Sequence, residues 1–224
     1  MSRLIVDEAI KRREPVNFIG ILCPSYKKGK DQIGFKDEPG QTTYIAFNNL
    51  KRVYEKAILF GIDATMSMFF YDVAVENSNK LTEQDWEDLR QNIIQDKAIA
   101  KALNVPFGLI SKTFPALKNM IVPPKKDLLK MVNEEVLKNV INESKEFYKG
   151  FGWTEEEAEK RALHMAYAYT IESSYLRKHF KNPVVIYSAY SYERMKLYEG
   201  KNRNARIGII CPPRPVGNSI LATI

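Results

Sequence analysis

Apolar residues fall along this chain in two rhythms. Dense apolar runs stand at residues 16–23 ("VNFIGILC"), 65–75 ("TMSMFFYDVAV"), 105–111 ("VPFGLIS"), 182–190 ("NPVVIYSAY") and 205–213 ("ARIGIICPP"). Runs of this kind read as interior strands, the first closed by Pro24. Between them the spacing becomes helical. Ala46, Leu50, Val53, Tyr54, Ala57 and Ile58 predict a helix that stops at Gly61. Thr82-x-x-Asp85 is a helix start, and the pattern continues through Trp86, Leu89, Ile93, Ile94, Ile99 and Leu103. A further helical stretch covers 126–148, and Thr154-x-x-Glu157 caps one that runs towards Phe180.

Strands that are apolar throughout, separated by helices, imply a mostly parallel sheet covered on both faces. The expectation is therefore an α/β protein, a single Rossmann-like domain over residues 1–224. Ligands in such sheets bind beyond the carboxyl ends of the strands. That directs attention to Cys23-Pro24-Ser25, Tyr71-Asp72, Tyr187-Ser188 and Cys211-Pro212-Pro213. The segment 24–42 ("PSYKKGKDQIGFKDEPGQT") is rich in Gly, Pro, Lys and Asp, as a functional or mobile loop would be.

Composition narrows the chemistry. No run of about 18 apolar residues occurs, so no membrane partner is expected, and the charged N-terminus has no secretory apolar core. Two cysteines make neither a disulfide framework nor a metal cluster, which fits a reducing cytoplasmic location. His164 and His179 lack metal-ligand spacing, and there is no Cys-x-x-Cys. Glycine-rich dinucleotide and phosphate loops and the Gly-x-Ser-x-Gly elbow are also missing. The expectation is an activity without cofactor or metal, driven by an activated substrate.

The net charge of +7 calls for an anionic partner. Arg177, Lys178, Lys181, Arg194, Lys196, Lys201, Arg203 and Arg206 crowd one part of the chain, and Lys27, Lys28 and Lys30 follow the first strand. Clusters of this kind suit a phosphate backbone, although single lysines are commonly just solvated.

Three groups carry candidate chemistry. Ser25 or Cys23, just past an interior strand, can present a nucleophile; the plainer readings are a turn residue and a small core hydrophobe. Tyr169 and Glu172 share a helical face, with Tyr167 nearby, so a phenol beside a carboxylate can relay protons or anchor an amine. The plainer alternative is a packed tyrosine-rich helix with Glu172 solvated. Tyr187, Tyr190 and Tyr192 can line a pocket, stack on a base, or simply pack.

With these features in place, the chain resembles the tRNA-dependent cyclodipeptide synthases, Rossmann-like proteins similar in fold to class I aminoacyl-tRNA synthetase catalytic domains. The length is similar. "FIGILCPSY" resembles the strand and Gly-Ile/Val-Ser turn that supply the family's nucleophilic serine. "LRQNIIQDKAIAKALN" resembles its long polar helix, and "AYTIESSY" the helix with a catalytic Tyr and Glu. "VVIYSAY" followed by "IGIICPP" resembles its last two strands. Two positions depart from the pattern: Leu22 follows Gly-Ile here, and Ala168 stands four residues before Glu172.

The resemblance implies an aminoacyltransferase that joins two aminoacyl-tRNAs into a cyclic dipeptide through aminoacyl-enzyme and dipeptidyl-enzyme intermediates. Ser25 would be the nucleophile with Cys23 in reserve, and Tyr167 or Tyr169 with Glu172 would move protons. Gly20, Cys23, Asp72 and Tyr187 would contact substrate, Asp72 through the amino group. Two rivals remain: a non-catalytic RNA-binding α/β protein, and another cofactor-free Rossmann-like enzyme acting on a phosphorylated metabolite.

Overall fold

The computed structural model describes residues 2–22, 41–70, 72, 83–117, 120–149, 152–186, 193, 196–199, 201 and 208–210. In chain order the elements are α1 (Ser2–Arg12), β1 (Val16–Leu22), α2 (Gln41–Leu59), β2 (Ala64–Phe70), α3 (Glu83–Leu103), β3 (Phe107–Leu109), α4 (Ile110–Thr113), α5 (Lys125–Met131), α6 (Glu134–Lys149), α7 (Glu155–His179), β4 (Pro183–Ile186) and β5 (Gly208–Ile210). Single 3₁₀ turns occupy Pro115–Leu117 and Leu197–Glu199.

The five strands form one sheet in the order β3-β2-β1-β4-β5, and every pairing is parallel. The expected α/β architecture is present. Successive side chains of a strand face opposite ways, and both faces are covered. Ile19 and Ile21 of β1 join Phe69 and Val185 beneath α4, α5, α6 and α7. Phe18 and Leu22 join Met68, Phe70, Val184 and Ile186 beneath α1, α2 and α3. Gly20 shares this second face. A Cβ there would lie 2.5 Å from Met68 Sδ and 3.3 Å from Leu50 Cδ2, so the glycine lets Met68 lie flat across the strand.

Four helices return the chain to the amino edge of the sheet through a left-handed residue: Arg13, Gly61, Asn104 and Asn182, with φ of 56°, 74°, 55° and 44°. Three of these turns repeat one hydrogen-bond scheme. Glu14 N–H donates to Ala9 O, Ile62 N–H to Ala57 O, and Val105 N–H to Ala100 O, which satisfies the last free carbonyls of α1, α2 and α3.

The structure corrects several sequence expectations. Helix α1 went unread, because among its described side chains Ile5 and Ala9 alone of the apolar ones are buried in the core. The stretch 126–148 is two helices, divided where Asn133 Oδ1 accepts from Glu135 N–H (2.9 Å) and starts α6. Ile94, read into the buried stripe of α3, is exposed. Thr82, the Trp86 and Leu89 side chains and residues 73–75 lie outside the described residues. The start of α7 is as expected: Thr154 Oγ1 accepts from Glu157 N–H, and Glu157 Oε2 accepts from Thr154 N–H.

Candidate active site

The strand order reverses between β1 and β4, and their carboxyl ends flank the crevice where ligands of such sheets bind. Leu22 and Ile186 form its described rim. Ser25, Cys23 and Tyr187, with Tyr190 and Tyr192, follow these two residues in sequence and lie outside the described residues.

Glu172 is described, and it is not solvated. It lies on α7 with no exposed surface, in a helix that buries Ala168, Tyr169, Ser173 and Leu176 against the sheet face carrying Ile19, Ile21 and Val185. A buried carboxylate is costly unless donors surround it. The donor is one that sequence reading missed. Beyond β4 the chain packs back onto α7, and the Tyr198 O–H donates to Glu172 Oε1. Tyr198 is itself fully buried, and its ring lies 5.2 Å from that of Tyr169. Of the two candidate tyrosines, Tyr169 thus joins the Glu172 cluster. Tyr167 is half-buried at the border of the same core.

The turn carrying Tyr198 is fastened by an arginine that the sequence placed in the phosphate-binding cluster. Arg177 Nη1 donates to Tyr198 O (3.2 Å) and Nη2 to Ser173 Oγ (3.1 Å). Burial pulls its pKa below the usual guanidinium value. Arg177 is therefore an internal brace, a correction to the basic surface. Asn139 Nδ2 to Glu193 Oε2 (3.1 Å) and Lys201 N–H to Met131 O (3.1 Å) hold the two ends of this segment. Lys196 pairs with Glu193 at 2.7 Å, while Lys178, Lys181 and Lys201 are exposed. Arg194, Arg203 and Arg206 lie outside the described residues, as do Lys27, Lys28 and Lys30.

Arg177→Met keeps the stem and removes both hydrogen bonds. Bonds from a charged donor are each worth roughly 1.5–3 kcal/mol; Arg177 is only half-buried, which discounts their sum, so urea unfolding is expected to show a loss of about 2–4 kcal/mol. Lys178→Met, on an exposed side chain, is expected to change stability by less than about 0.5 kcal/mol.

Asp72 stands just past β2. Its Oδ1 accepts from Ser111 N–H (2.8 Å) and its Oδ2 from Ser111 O–H (2.5 Å). Leu109, at the N-cap of α4, has no side-chain oxygen, and Asp72 supplies the cap from the neighbouring strand. Substrate contact by Asp72 would have to use the outer lone pairs of an already bonded carboxylate. Gly20, also expected at the substrate, lies inside β1 against Met68.

His164, on the same helix as Glu172, is buried, and its Nε2 has no hydrogen-bond partner among the described residues. Burial first, and the Arg161 charge second, lower its pKa from 6.5 to about 4. Between these values the unfolded chain binds a proton that the folded chain refuses. Stability is thus full above pH 6.5 and declines towards pH 4, by up to about 3 kcal/mol. In His164→Leu this part of the decline is expected to vanish when unfolding free energies at pH 7 and pH 5 are compared.

No group of three His, Cys, Asp or Glu residues placed to hold a metal occurs among the described residues. No family model matches the sequence, and no curated protein matches it. Solved structures do resemble the fold. The PvcA protein from Pseudomonas aeruginosa superposes with a TM-score of 0.56 at 11% identity, over 85% of this chain and 70% of that chain. A cyclodipeptide synthase from Candidatus Glomeribacter gigasporarum, solved bound to Phe-tRNAPhe, superposes with a TM-score of 0.52 at 12% identity, over 97% of this chain and 95% of its own. At such identities the likeness is one of fold: this chain has the Rossmann-like α/β architecture that these two proteins share.

Proposed function

We propose that this protein is an aminoacyltransferase of the cyclodipeptide-synthase type, using two aminoacyl-tRNAs. The observation that carries the reading is the buried Glu172 carboxylate held by the Tyr198 hydroxyl with Tyr169 alongside, on the helix where the sequence resemblance puts a Tyr and a Glu. RNA binding by phosphate contacts alone does not require a carboxylate desolvated in this way. The likeness of fold to a synthase bound to an aminoacyl-tRNA supports the same reading.

Ser25 Oγ attacks the ester carbonyl of the first aminoacyl-tRNA. Its proton passes to the departing 3′ oxygen of the tRNA, and an aminoacyl ester forms on the enzyme. The α-amine of the second aminoacyl-tRNA, once neutral, attacks this ester, and the serine oxygen leaves. A peptide bond forms while the second ester to tRNA remains. Ser25 then takes the dipeptidyl group from that tRNA, and the free amine closes the ring and releases the serine. Glu172 accepts the proton that the attacking amine sheds, relayed through the Tyr198 hydroxyl, and returns it by the same route to the departing serine oxygen, which regenerates both the carboxylate and the Ser25 hydroxyl. Tyr169 packs its ring against that of Tyr198 and so holds the hydroxyl in place. Arg90 and Lys97, exposed on α3, offer cations to tRNA phosphates.

The test is mass spectrometry of culture medium from cells expressing the protein. A new cyclic dipeptide, absent from the Glu172→Gln strain, is expected. A medium unchanged by expression, under conditions where the protein binds aminoacyl-tRNA, would contradict the proposal.

A further inference from the structure

At the amino edge of the sheet, opposite the candidate site, large apolar side chains stand in solvent. Leu59 is 83% exposed and Phe60 71%, side by side at the tip of α2; Ile58 is 45% exposed and Ile10, at the end of α1, 51%. The register that pairs Val16 with Ala64, and the bond from Val16 N–H to Asp63 O (2.9 Å), set the α1 and α2 turns next to each other. Burying these side chains against something is favourable.

In a parallel sheet every crossover helix ends at this same edge. Each carries cations in its last turn or just beyond it: Lys11 and Arg12 in α1 with Arg13 after it, Lys56 in α2, Lys101 in α3, Lys178 and Lys181 around the end of α7, all exposed. The acids here are fewer. Glu8 pairs with Arg12 (3.5 Å), so these two charges offset each other; Glu14, bonded to the neutral Asn182 amide (3.3 Å), Asp63 and Glu55, the last 3.7 Å from Lys51, stand against six remaining cations. The result is a short apolar tip inside a basic rim, mounted on turns closed by the Glu14 N–H to Ala9 O and Ile62 N–H to Ala57 O bonds.

We propose that this edge docks on an anionic lipid bilayer, with Leu59 and Phe60 entering the interface and the surrounding lysines and arginines meeting lipid phosphates. Charge decides the occupant. A second copy packed on the same patch would set two basic rims against each other. RNA offers the rim phosphates but gives Leu59, Ile58 and Ile10 nothing apolar to cover them. An interfacial contact needs no spanning segment, and none of the described helices is long and apolar enough to cross a membrane. The contact therefore goes beyond the sequence expectation of no membrane partner, and the candidate site is left facing away from the lipid.

Flotation of the full chain with vesicles tests this. With phosphatidylcholine containing about one third phosphatidylglycerol the protein is expected to float, and with phosphatidylcholine alone to stay below. Leu59→Asp with Phe60→Asp is expected to weaken vesicle binding by about tenfold or more with the melting temperature unchanged, since both side chains are exposed. Lys11→Glu with Lys56→Glu is expected to do the same through charge, which keeps the test alive if the first pair fails to fold. Absence of flotation on anionic vesicles would overturn the proposal. So would binding that both pairs leave intact, or a lipid-free dimer that Leu59→Asp dissolves.

Discussion

Glu172→Gln is expected to lower cyclic dipeptide formation by about 10²- to 10⁴-fold, the range for a positioned proton acceptor. Glutamine keeps the shape, and its carbonyl can still accept from the Tyr198 hydroxyl, so the packing of α7 is preserved. What it loses is the charge and the capacity to take a proton. Stability should move the other way. A fully buried carboxylate pays desolvation that a neutral amide avoids, and replacing buried charge in a packed site is often neutral or stabilising. The joint result, activity collapsing while the melting temperature holds or rises, separates a functional carboxylate from a structural one. Tyr198→Phe makes the contrast: it removes that donor from the carboxylate and is expected to lose activity together with about 1–3 kcal/mol of stability.

Ser25→Ala is expected to abolish turnover, with a loss of about 10³-fold or more, because the acyl group then has no oxygen on which to rest. Binding of aminoacyl-tRNA should survive within about threefold, since phosphate contacts carry the affinity. Cys23→Ala offers the opposite case. A cysteine at the end of a buried strand acts first as a small hydrophobe, and its replacement should cost modest stability and leave turnover near that of the parent. If Cys23→Ala abolishes turnover and Ser25→Ala does not, the nucleophile is the thiol.

Much of the fold could be read from local pattern. Thr154 and Glu157 form the capping box at the start of α7, because that signal lies within four residues and depends on nothing distant. The run that became β1 was legible because both of its faces are buried from Phe18 onward, and only Asn17, near its start, is polar. The break between α5 and α6 was missed: in one continuous helix Leu128 and Val132 would lie on the face opposite Leu137 and Ile141, and all four are buried because the chain turns and the Asn133 side chain starts a second helix. The site shows the same division. Tyr169 and Glu172 share a face by helical arithmetic alone. Tyr198 meets Glu172 across 26 residues, and the brace from Arg177 to the Tyr198 carbonyl spans 21. Neither pairing leaves a periodic trace. An arginine seated among lysines reads as surface charge until its guanidinium is seen turned inward.

The most direct test of the central claim is whether an aminoacyl group is carried on Ser25. The protein is mixed with bulk aminoacyl-tRNA, quenched in acid, digested, and its peptides weighed. The account predicts one aminoacyl ester on the peptide containing Ser25, kept in Glu172→Gln and missing from Ser25→Ala. An ester that persists in Ser25→Ala, or none in the parent protein while cyclic dipeptide is being made, would contradict it.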